Sequence, residues 1–243
     1  MIHVMAKVNF FDKRVIKKFL EITAVVSGTL SFVVIFVDVP AEWKLKAGLA
    51  FLAILALTYL AIWLWSNNLN SIDINVEGSD VAIKTGDIFQ QPGLKAIAFN
   101  EYFDTQVDNK IIGETSLNGV FIQKHLGVPL SELDRHIEEY AFDNSEVLDE
   151  NEARKQGKKK RYQIGTICLY KDYLLTAFSK FDENNKALLT MPEYLEFLIN
   201  FWDKVNNFYA QQSVSTTIFG SGITRIKGHK NISDEDLLKI MLW

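Results

Sequence analysis

The sequence is poor in cysteine and histidine. Its single cysteine, Cys168, excludes an intrachain disulfide framework and is consistent with a reducing compartment for that region. The four histidines lie far apart in the chain, without the spacing of paired metal ligands. They are His3, His125, His136 and His229. The sequence therefore predicts no metal site and no metal cofactor.

The larger, C-terminal part of the chain has no excess of positive charge. Residues 71–243 carry nineteen Lys or Arg against twenty-six Asp or Glu, whereas residues 1–70 carry seven basic and four acidic residues. An acidic soluble region argues against bulk binding to nucleic acid, which requires a basic surface. We expect no nucleic acid among the partners.

Two long apolar runs stand near the N-terminus. The first, residues 20–37, contains Glu21 as its one charged residue, and the second, residues 47–65, contains none. Each run is long enough to cross a bilayer. The second run follows closely and no small-residue cleavage signature separates the two, which argues against a cleaved signal peptide. We therefore predict a basic N-terminus over residues 1–19 and a transmembrane hairpin over residues 20–66, with helices at about 20–38 and 47–65.

The charges around these runs predict the orientation of the hairpin. Five basic residues precede or open the first run, namely Lys7, Lys13, Arg14, Lys17 and Lys18. The connector is balanced, with Lys44 and Lys46 against Asp38 and Glu42. Because basic residues favour the cytoplasmic side, the N-terminus should be cytoplasmic, and two crossings return the chain to that side. We expect a multi-pass protein in contact with membrane lipid, its soluble domain in the cytoplasm.

Both apolar runs carry small residues at helical spacing. They are Ala24, Ser27, Gly28 and Ser31 in the first run and Ala47, Ala50 and Ala53 in the second. Small residues let helices approach closely in a membrane. The two faces either pack the helices of one hairpin or join hairpins into a homo-oligomer, and the sequence leaves both interpretations open.

The hydrophobic pattern changes after residue 70. Apolar residues alternate with polar ones from Ile72 to Val76, and the alternation resumes at 81–84 after a turn, which predicts a hairpin of two strands. Continuous apolar stretches at 94–99, 173–178 and 214–219 predict buried strands.

Helical patterns lie between these strands. They cover residues 116–125, 131–140 and 191–210, the last two with capping boxes formed by Ser131 with Asp134 and by Thr190 with Glu193. Residues 143–161 are polar and end in a basic run, which predicts a solvated loop without a site. Strands that alternate with helices predict an α/β layer fold.

The candidate chemistry lies in three loops, residues 86–89, 99–105 and 220–224. Ligands of α/β sheets bind beyond the carboxyl ends of strands, and glycines let the backbone approach a phosphate closely. A structural interpretation stays open for each loop: Asp87 and the Gly220-Ser221-Gly222 run as turn residues, and Asn100 with Glu101 as acceptors for local backbone groups.

Taken in order, these loops resemble those of macro domains, which bind ADP-ribose. Gly86-Asp87-Ile88 resembles the Gly-Asp-Ile motif whose aspartate accepts from the adenine amino group, and Asn100-Glu101 resembles the strand end near the distal ribose. Residues 116–119 and 220–223 resemble the two phosphate loops. The resemblance implies a ligand site formed by Asp87, Ile88, Asn100, Glu101, Ser116, Leu117, Asn118, Gly119, Gly220, Ser221, Gly222 and Ile223.

Together with the preceding hairpin, these motifs are similar to the macro-domain effectors of bacterial Thoeris anti-phage systems. That resemblance implies a three-layer α/β/α domain over residues 71–243 in a protein of the bacterial inner membrane. It also implies a sensor rather than an enzyme, without catalytic residues. The ligand would be ADP-ribose or a conjugate such as histidine-ADP-ribose, made from NAD by a TIR-domain partner, and binding would lead to membrane disruption.

Two departures from the macro-domain pattern bear on these expectations. The first phosphate loop is thinned to Asn118-Gly119, which weighs against hydrolase activity. The chain stops at Trp243, inside a helix opened by Ser233, so we expect a macro-like domain that lacks its last strand. Two alternatives remain, a hydrolase of ADP-ribose esters or adducts with Asn100 orienting a water, and a membrane scaffold that binds no nucleotide.

Overall fold

The computed structural model describes residues 8–37, 40–182, 184–222, 225–228 and 232–243. Contacts divide the chain into two units, Met1–Thr85 and Gly86–Trp243. The predicted hairpin of strands is confirmed as β1 (Ser71–Val76) and β2 (Ser79–Lys84), paired antiparallel. By its contacts this hairpin groups with the first unit, whereas the domain boundary at residue 71 stays a prediction.

The first unit contains two long helices, α1 (Lys13–Phe36) and α2 (Ala41–Asn68). At 1.5 Å per residue they extend about 36 and 42 Å, so both are long and apolar enough to cross a membrane. The predicted bounds 20–38 and 47–65 are too narrow at their N-terminal ends, because the charged flanks continue the helices. Asp12 caps α1, its carboxylate accepting from the backbone N–H of Arg14 at 2.8 Å.

Only part of the small-residue surface packs inside this hairpin. Ser27 and Ser31 of α1 line a groove of about 390 Å³ opposite Phe51 of α2. Gly28 is exposed, and a Cβ built on it meets no described atom within 4 Å. The partly buried face of α2 consists of larger residues at helical spacing, namely Phe51, Leu55, Thr58, Tyr59, Ile62 and Trp63. The interpretation in which both small-residue faces pack the hairpin is therefore wrong for Ala47, Ala50 and Ala53, which are exposed.

The segment before α1 lies along the C-terminal end of α2. The indole N–H of Trp63 donates to the carbonyl of Val8 at 3.1 Å, and the backbone N–H of Val8 donates to Asn67 Oδ1 at 3.0 Å. The Phe10 ring contacts the rings of Tyr59 and Trp63 edge-on, with centroids 5.1 and 5.4 Å apart. These contacts fix residues 8–10 to the end of the hairpin that carries the basic residues.

The second unit is built on a mixed sheet of six strands. They are β3 (Leu94–Asn100), β4 (Ile167–Tyr170), β5 (Tyr173–Phe181), β6 (Ala187–Leu189), β7 (Val214–Ser215) and β8 (Arg225–Ile226). Strands β7, β3 and β5 run parallel in that order. Both β4 and β6 pair antiparallel with the other edge of β5, and β8 runs parallel to β6.

Helices cover both faces of this sheet, which confirms the predicted three-layer α/β/α architecture. Leu174 and Phe178 of β5 point to a core shared with α5 (Met191–Phe208) and α6 (Asp234–Met241). Leu175 and Ala177 alternate to the opposite core, formed with α3 (Leu117–Val120), the π-helix Phe121–His125 and α4 (Leu130–Glu139). Cys168 is buried in that second core, where burial raises the thiol pKa to about 12.

The predicted strand at 214–219 is too long. Pairing with β3 stops at Ser215, and Phe219 leaves the sheet to pack against three rings of the first core, those of Phe178, Phe197 and Phe201, at centroid distances of 5.5, 4.8 and 5.1 Å. Its apolar character reflects burial after a strand, which a pattern of apolar residues cannot distinguish from burial within one.

The two predicted capping boxes have opposite outcomes. The box of Thr190 and Glu193 is confirmed at the start of α5. The box of Ser131 and Asp134 is wrong: α4 begins after Pro129 with no side-chain cap. The Asp134 carboxylate instead accepts from the Thr105 hydroxyl at 2.6 Å and pairs with Lys158 Nζ at 2.7 Å.

Residues 143–161 form the predicted loop, and the structure has no helix or named strand there. The loop is not wholly solvated, because Glu146 and Arg154 are buried polar residues. Buried charges in a loop require partners, which ties this segment to the rest of the fold.

Candidate functional site

The parallel strands bring two of the predicted loops, those that follow β3 and β7, to one edge of the sheet. Strands β3, β5 and β7 share a direction, so their carboxyl ends lie at the same edge. Asn100 ends β3 there, Glu101 follows it, and the Gly220 run follows the neighbouring β7. This is the edge at which open α/β sheets bind ligands.

Asp87 and Ile88 begin a short 3₁₀-helix, Ile88–Gln90, before β3. Asp87 is exposed, and its carboxylate accepts from the backbone N–H of Phe89 at 3.0 Å. Ile88 is buried, so its side chain anchors the turn in the protein interior. The Phe89 ring stacks on His125 of the π-helix at 3.8 Å with an interplanar angle of 7°. The stack joins the Asp87 turn to the helical segment that Ser116 opens.

The loop at 116–119 is held by its own polar side chains. The Ser116 hydroxyl caps α3 by accepting from the backbone N–H of Gly119 at 3.2 Å, and it donates to Asn118 Oδ1 at 2.6 Å. Leu117 is half-buried against the second core. A Cβ on Gly119 would lie 2.2 Å from the carbonyl oxygen of Gly113, so only glycine fits this close approach of two backbone segments.

The loop after β7 contains two glycines with different roles. Gly220 has φ +85°, a conformation that favours glycine, and the preceding carbonyl of Phe219 accepts from the Tyr194 hydroxyl at 2.9 Å. Ser221 and Gly222 are exposed, and a Cβ on Gly222 meets no described atom within 4 Å. Ile223 lies outside the described residues. The loop is thus fixed at Gly220 and open to solvent at Gly222.

Asn100 and Glu101 are buried, with 3% and 5% of their surfaces exposed. Asn100 Oδ1 accepts from the backbone N–H groups of Tyr102 and Asp104 at 3.0 and 3.3 Å, and its Nδ2 donates to Asp104 Oδ2 at 2.8 Å. The side chain of Asn100 therefore satisfies local backbone groups. A ligand role for Asn100 stays a prediction.

Glu101 links β3 to β5. Its carboxylate accepts from the backbone N–H of Phe181 at 3.1 Å, and its own N–H donates to Ser179 at 2.8 Å. Burial raises the pKa of Glu101, although the Phe181 N–H and the nearby Arg161 oppose the rise. These contacts give the side chain a structural role at the strand end, and its contact with a ligand stays a prediction.

Sequence reasoning missed two charged residues at this edge. Arg154 from the loop 143–161 forms a bidentate ion pair with Asp104, with Nη2 2.6 Å from Oδ2 and Nη1 3.2 Å from Oδ1. Asp104 carried a signal, because it stands in the segment that resembles the macro-domain strand end. A single arginine within a polar loop carries no such signal, since its partner lies fifty residues away in sequence.

Chemically, the loops offer backbone N–H groups and an exposed carboxylate rather than a metal centre. Within the parts of the chain that the structure describes, no group of three His, Cys, Asp or Glu side chains could hold a metal ion. Exposed glycine backbone at 220–222 is suited to approach phosphate oxygens, and the Asp87 carboxylate can accept from an amino group.

Comparison with known proteins identifies relatives. A family model, the macro domain of Thoeris protein ThsA, matches residues 81–243. Over 237 residues the chain is 35% identical to Thoeris protein ThsA of Bacillus amyloliquefaciens (strain Y2), a match that covers 96% of this chain and 78% of that protein. The family match begins within β2 and includes all the predicted ligand loops.

Proposed function

Because this chain belongs to the Thoeris ThsA macro-domain family, we propose that it is a membrane-anchored anti-phage defence effector that senses an ADP-ribose-derived nucleotide. A TIR-domain partner would make this signal, with histidine-ADP-ribose as the candidate. Binding would then lead to disruption of the membrane. The proposal gives the chain no catalytic step.

One observation carries the proposal: a macro domain follows two helices whose apolar side chains face outward. Large side chains such as Val25, Ile35 and Leu45 are at least 70% exposed. Apolar surface of this extent is stable only when lipid or another protein covers it. Joining a nucleotide-binding domain to a membrane hairpin is the arrangement that a signal-operated membrane effector needs.

The orientation of the hairpin is part of the proposal. The basic residues cluster before and within the first turns of α1, so we propose a cytoplasmic N-terminus and soluble domain at the bacterial inner membrane. Protease added outside intact spheroplasts should leave the loop at 143–161 uncut. Cleavage there without lysis would contradict this topology.

The proposal is tested with the full-length protein reconstituted into dye-loaded vesicles of bacterial lipid. Histidine-ADP-ribose or ADP-ribose should bind with one saturable transition and release the dye, whereas NAD and AMP at the same concentration should not. Dye release without nucleotide, or no response to either ligand, would contradict the proposal. Chromatography of the same samples should return the ligand intact, since turnover would instead support a hydrolase.

A further inference from the structure

Arg154 and Asp104 form a buried ion pair between two loops of the second unit. Asp104 is 1% exposed and Arg154 is 7% exposed. Asp104 Oδ1 also accepts from the backbone N–H of Lys158 at 2.8 Å. A Cβ on Gly157 would lie 2.6 Å from Asp104 Oδ1, so the loop approaches the carboxylate as closely as a glycine allows. A charged pair placed this deeply must be well satisfied to be tolerated.

The guanidinium of Arg154 uses all five of its N–H donors within the protein. Beyond the two bonds to Asp104, Nη1 donates to the carbonyl of Lys158, while Nε and Nη2 donate to Asn185 Oδ1 at 3.3 and 2.9 Å. The guanidinium carbon also lies 3.8 Å from the centre of the Tyr102 ring. Since Asn185 belongs to the loop after β5, Arg154 joins the loops that follow two adjacent parallel strands. It has no donor left for a ligand.

Asp104 connects Arg154 to Asn100 through hydrogen bonds. Its Oδ2 accepts both from Arg154 and from the carboxamide Nδ2 of Asn100. That bond orients the carboxamide so that Oδ1 faces the backbone N–H groups of Tyr102 and Asp104. Without the charged partner, the carboxylate would lose the two hydrogen bonds from Arg154 and keep those from Lys158 and Asn100.

The segment between Asn100 and Asp104 has a backbone that needs such support. The register of β3 on β5 shifts between Phe99 and Asn100, and Phe103 adopts φ +48°, which is unfavourable for a side chain of this size. Strained backbone persists only where surrounding contacts impose it, and it concentrates at ligand sites. The strained segment follows β3, at the same edge of the sheet as the loop after the parallel strand β7.

We propose that Arg154 is a positioning residue of the ligand site. Through Asp104 it holds the Asn100 carboxamide in its orientation and the strained turn after β3 in its conformation. It acts without touching the ligand. The ligand arm of this proposal rests on the proposed function, whereas the positioning of Asn100 does not.

The test measures amide hydrogen exchange and ADP-ribose affinity on the full-length chain in detergent micelles, for wild type, Arg154→Met and Arg154→Lys. The amides of Tyr102 and Asp104 report directly on the Asn100 carboxamide that accepts from them. In both variants the hydrogen-exchange rate of these two amides should rise about tenfold or more. Lysine at position 154 should not restore slow exchange, because an ammonium group cannot replace the five N–H donors of a planar guanidinium. Affinity for ADP-ribose should fall at least about tenfold in both.

Two control variants separate positioning from a general loss of stability. Val205→Ala removes buried side-chain volume from α5 in the opposite core, so it should lower the melting temperature without changing either amide or the affinity. Lys159→Met removes a charge from the same loop, where the lysine pairs with Glu152 at the surface. It should change neither the exchange of the two amides, nor the affinity for ADP-ribose, nor the melting temperature.

The outcomes distinguish this proposal from the proposed function. Unchanged exchange of the Tyr102 and Asp104 amides in Arg154→Met overturns the positioning role, whatever the ligand. Faster exchange with unchanged ADP-ribose affinity overturns the link to the ligand site. If the wild type itself does not bind ADP-ribose, the proposed function fails, and the exchange measurement alone then decides whether Arg154 positions Asn100.

Discussion

Gly222 is the residue at which the predicted phosphate loop can be tested without disturbing the fold. Its position is exposed and open to an added side chain. Gly222→Glu should weaken ADP-ribose binding at least tenfold, or roughly 1.4 kcal/mol, because a carboxylate would repel phosphate oxygens at this loop. Isothermal calorimetry on the full-length protein measures the change. Gly222→Ala is the control, since it adds a Cβ without charge, and equal binding by Gly222→Glu would remove this loop from the site.

Asp87 is suited to recognise a base rather than a phosphate. Its exposed carboxylate accepts from the Phe89 N–H and carries the role that the Gly-Asp-Ile motif implies. Asp87→Ala should therefore weaken binding of ADP-ribose by about fivefold to tenfold, in line with the net contribution of about 1 kcal/mol from one hydrogen bond at an exposed position. It should hardly affect the hypoxanthine analogue, which has no amino group to donate. A parallel loss for both nucleotides in competition binding would show that Asp87 only supports the turn.

Individual buried side chains show where residue-type reasoning reaches its limit. The resemblance to macro domains implied ligand contact for Asn100 and Glu101, while the residues themselves left open a role in satisfying local backbone groups. The structure gives both side chains partners within the protein. The same donors and acceptors can bind a ligand or satisfy polar groups within the protein. Only the distances to neighbouring backbone groups distinguish a satisfied side chain from one turned toward solvent.

At the scale of elements, α5 gives a prediction for the dependence of stability on pH. Burial raises the pKa of Glu193, but hydrogen bonds from Lys180 and Thr190 outweigh that effect and bring it from 4.5 to about 2. A lowered carboxyl pKa stabilises the folded state above pH 4.5, and this contribution is lost as the pH falls toward 2.

Glu193→Gln should therefore lower the free energy of unfolding by about 1 kcal/mol at pH 7. The difference from wild type should shrink steadily as the pH falls from about 5 to about 2. Urea unfolding followed by circular dichroism in mild detergent measures it. Glu196→Gln, on the exposed side of the same helix, is the control. A difference that stays constant with pH would contradict the ionic origin of the effect.

At the scale of the whole molecule, the proposed function requires ligand binding to change the state of the membrane helices. A ligand can do so only by its different affinity for the two states. Gly28 is exposed on α1, so its small surface is available to a helix of another copy. Ligand-driven association of hairpins is the simplest switch that this surface allows.

Gly28→Leu should accordingly reduce nucleotide-dependent dye release about tenfold while leaving the affinity for ADP-ribose unchanged. The added side chain has room on the single hairpin, so a loss would reflect contact between copies. Ala61→Leu, at another exposed position on α2, is the control and should release dye as the wild type does. Full dye release by Gly28→Leu would show that this face takes no part in the switch.

The sequence by itself determined the parts of this protein that depend on composition and short-range pattern. Two long apolar runs predicted long helices, the Thr190 and Glu193 spacing predicted the start of α5, and apolar stretches at 94–99 and 173–178 predicted strands. Loop motifs in a fixed order indicated the macro-domain family. Apart from the order of the loop motifs, each of these signals lies within one continuous segment of chain, where periodicity and capping act directly.

Only the tertiary structure decided which polar side chains meet. Asp134 pairs with Thr105 and Lys158 instead of capping α4, and Arg154 crosses from its loop to Asp104. Gly28 is exposed, with no described atom within 4 Å of a Cβ built on it, and Phe219 packs into the core after its strand has ended. These outcomes depend on contacts between residues distant in sequence. Burial makes such pairs obligatory, but local propensity does not encode their partners.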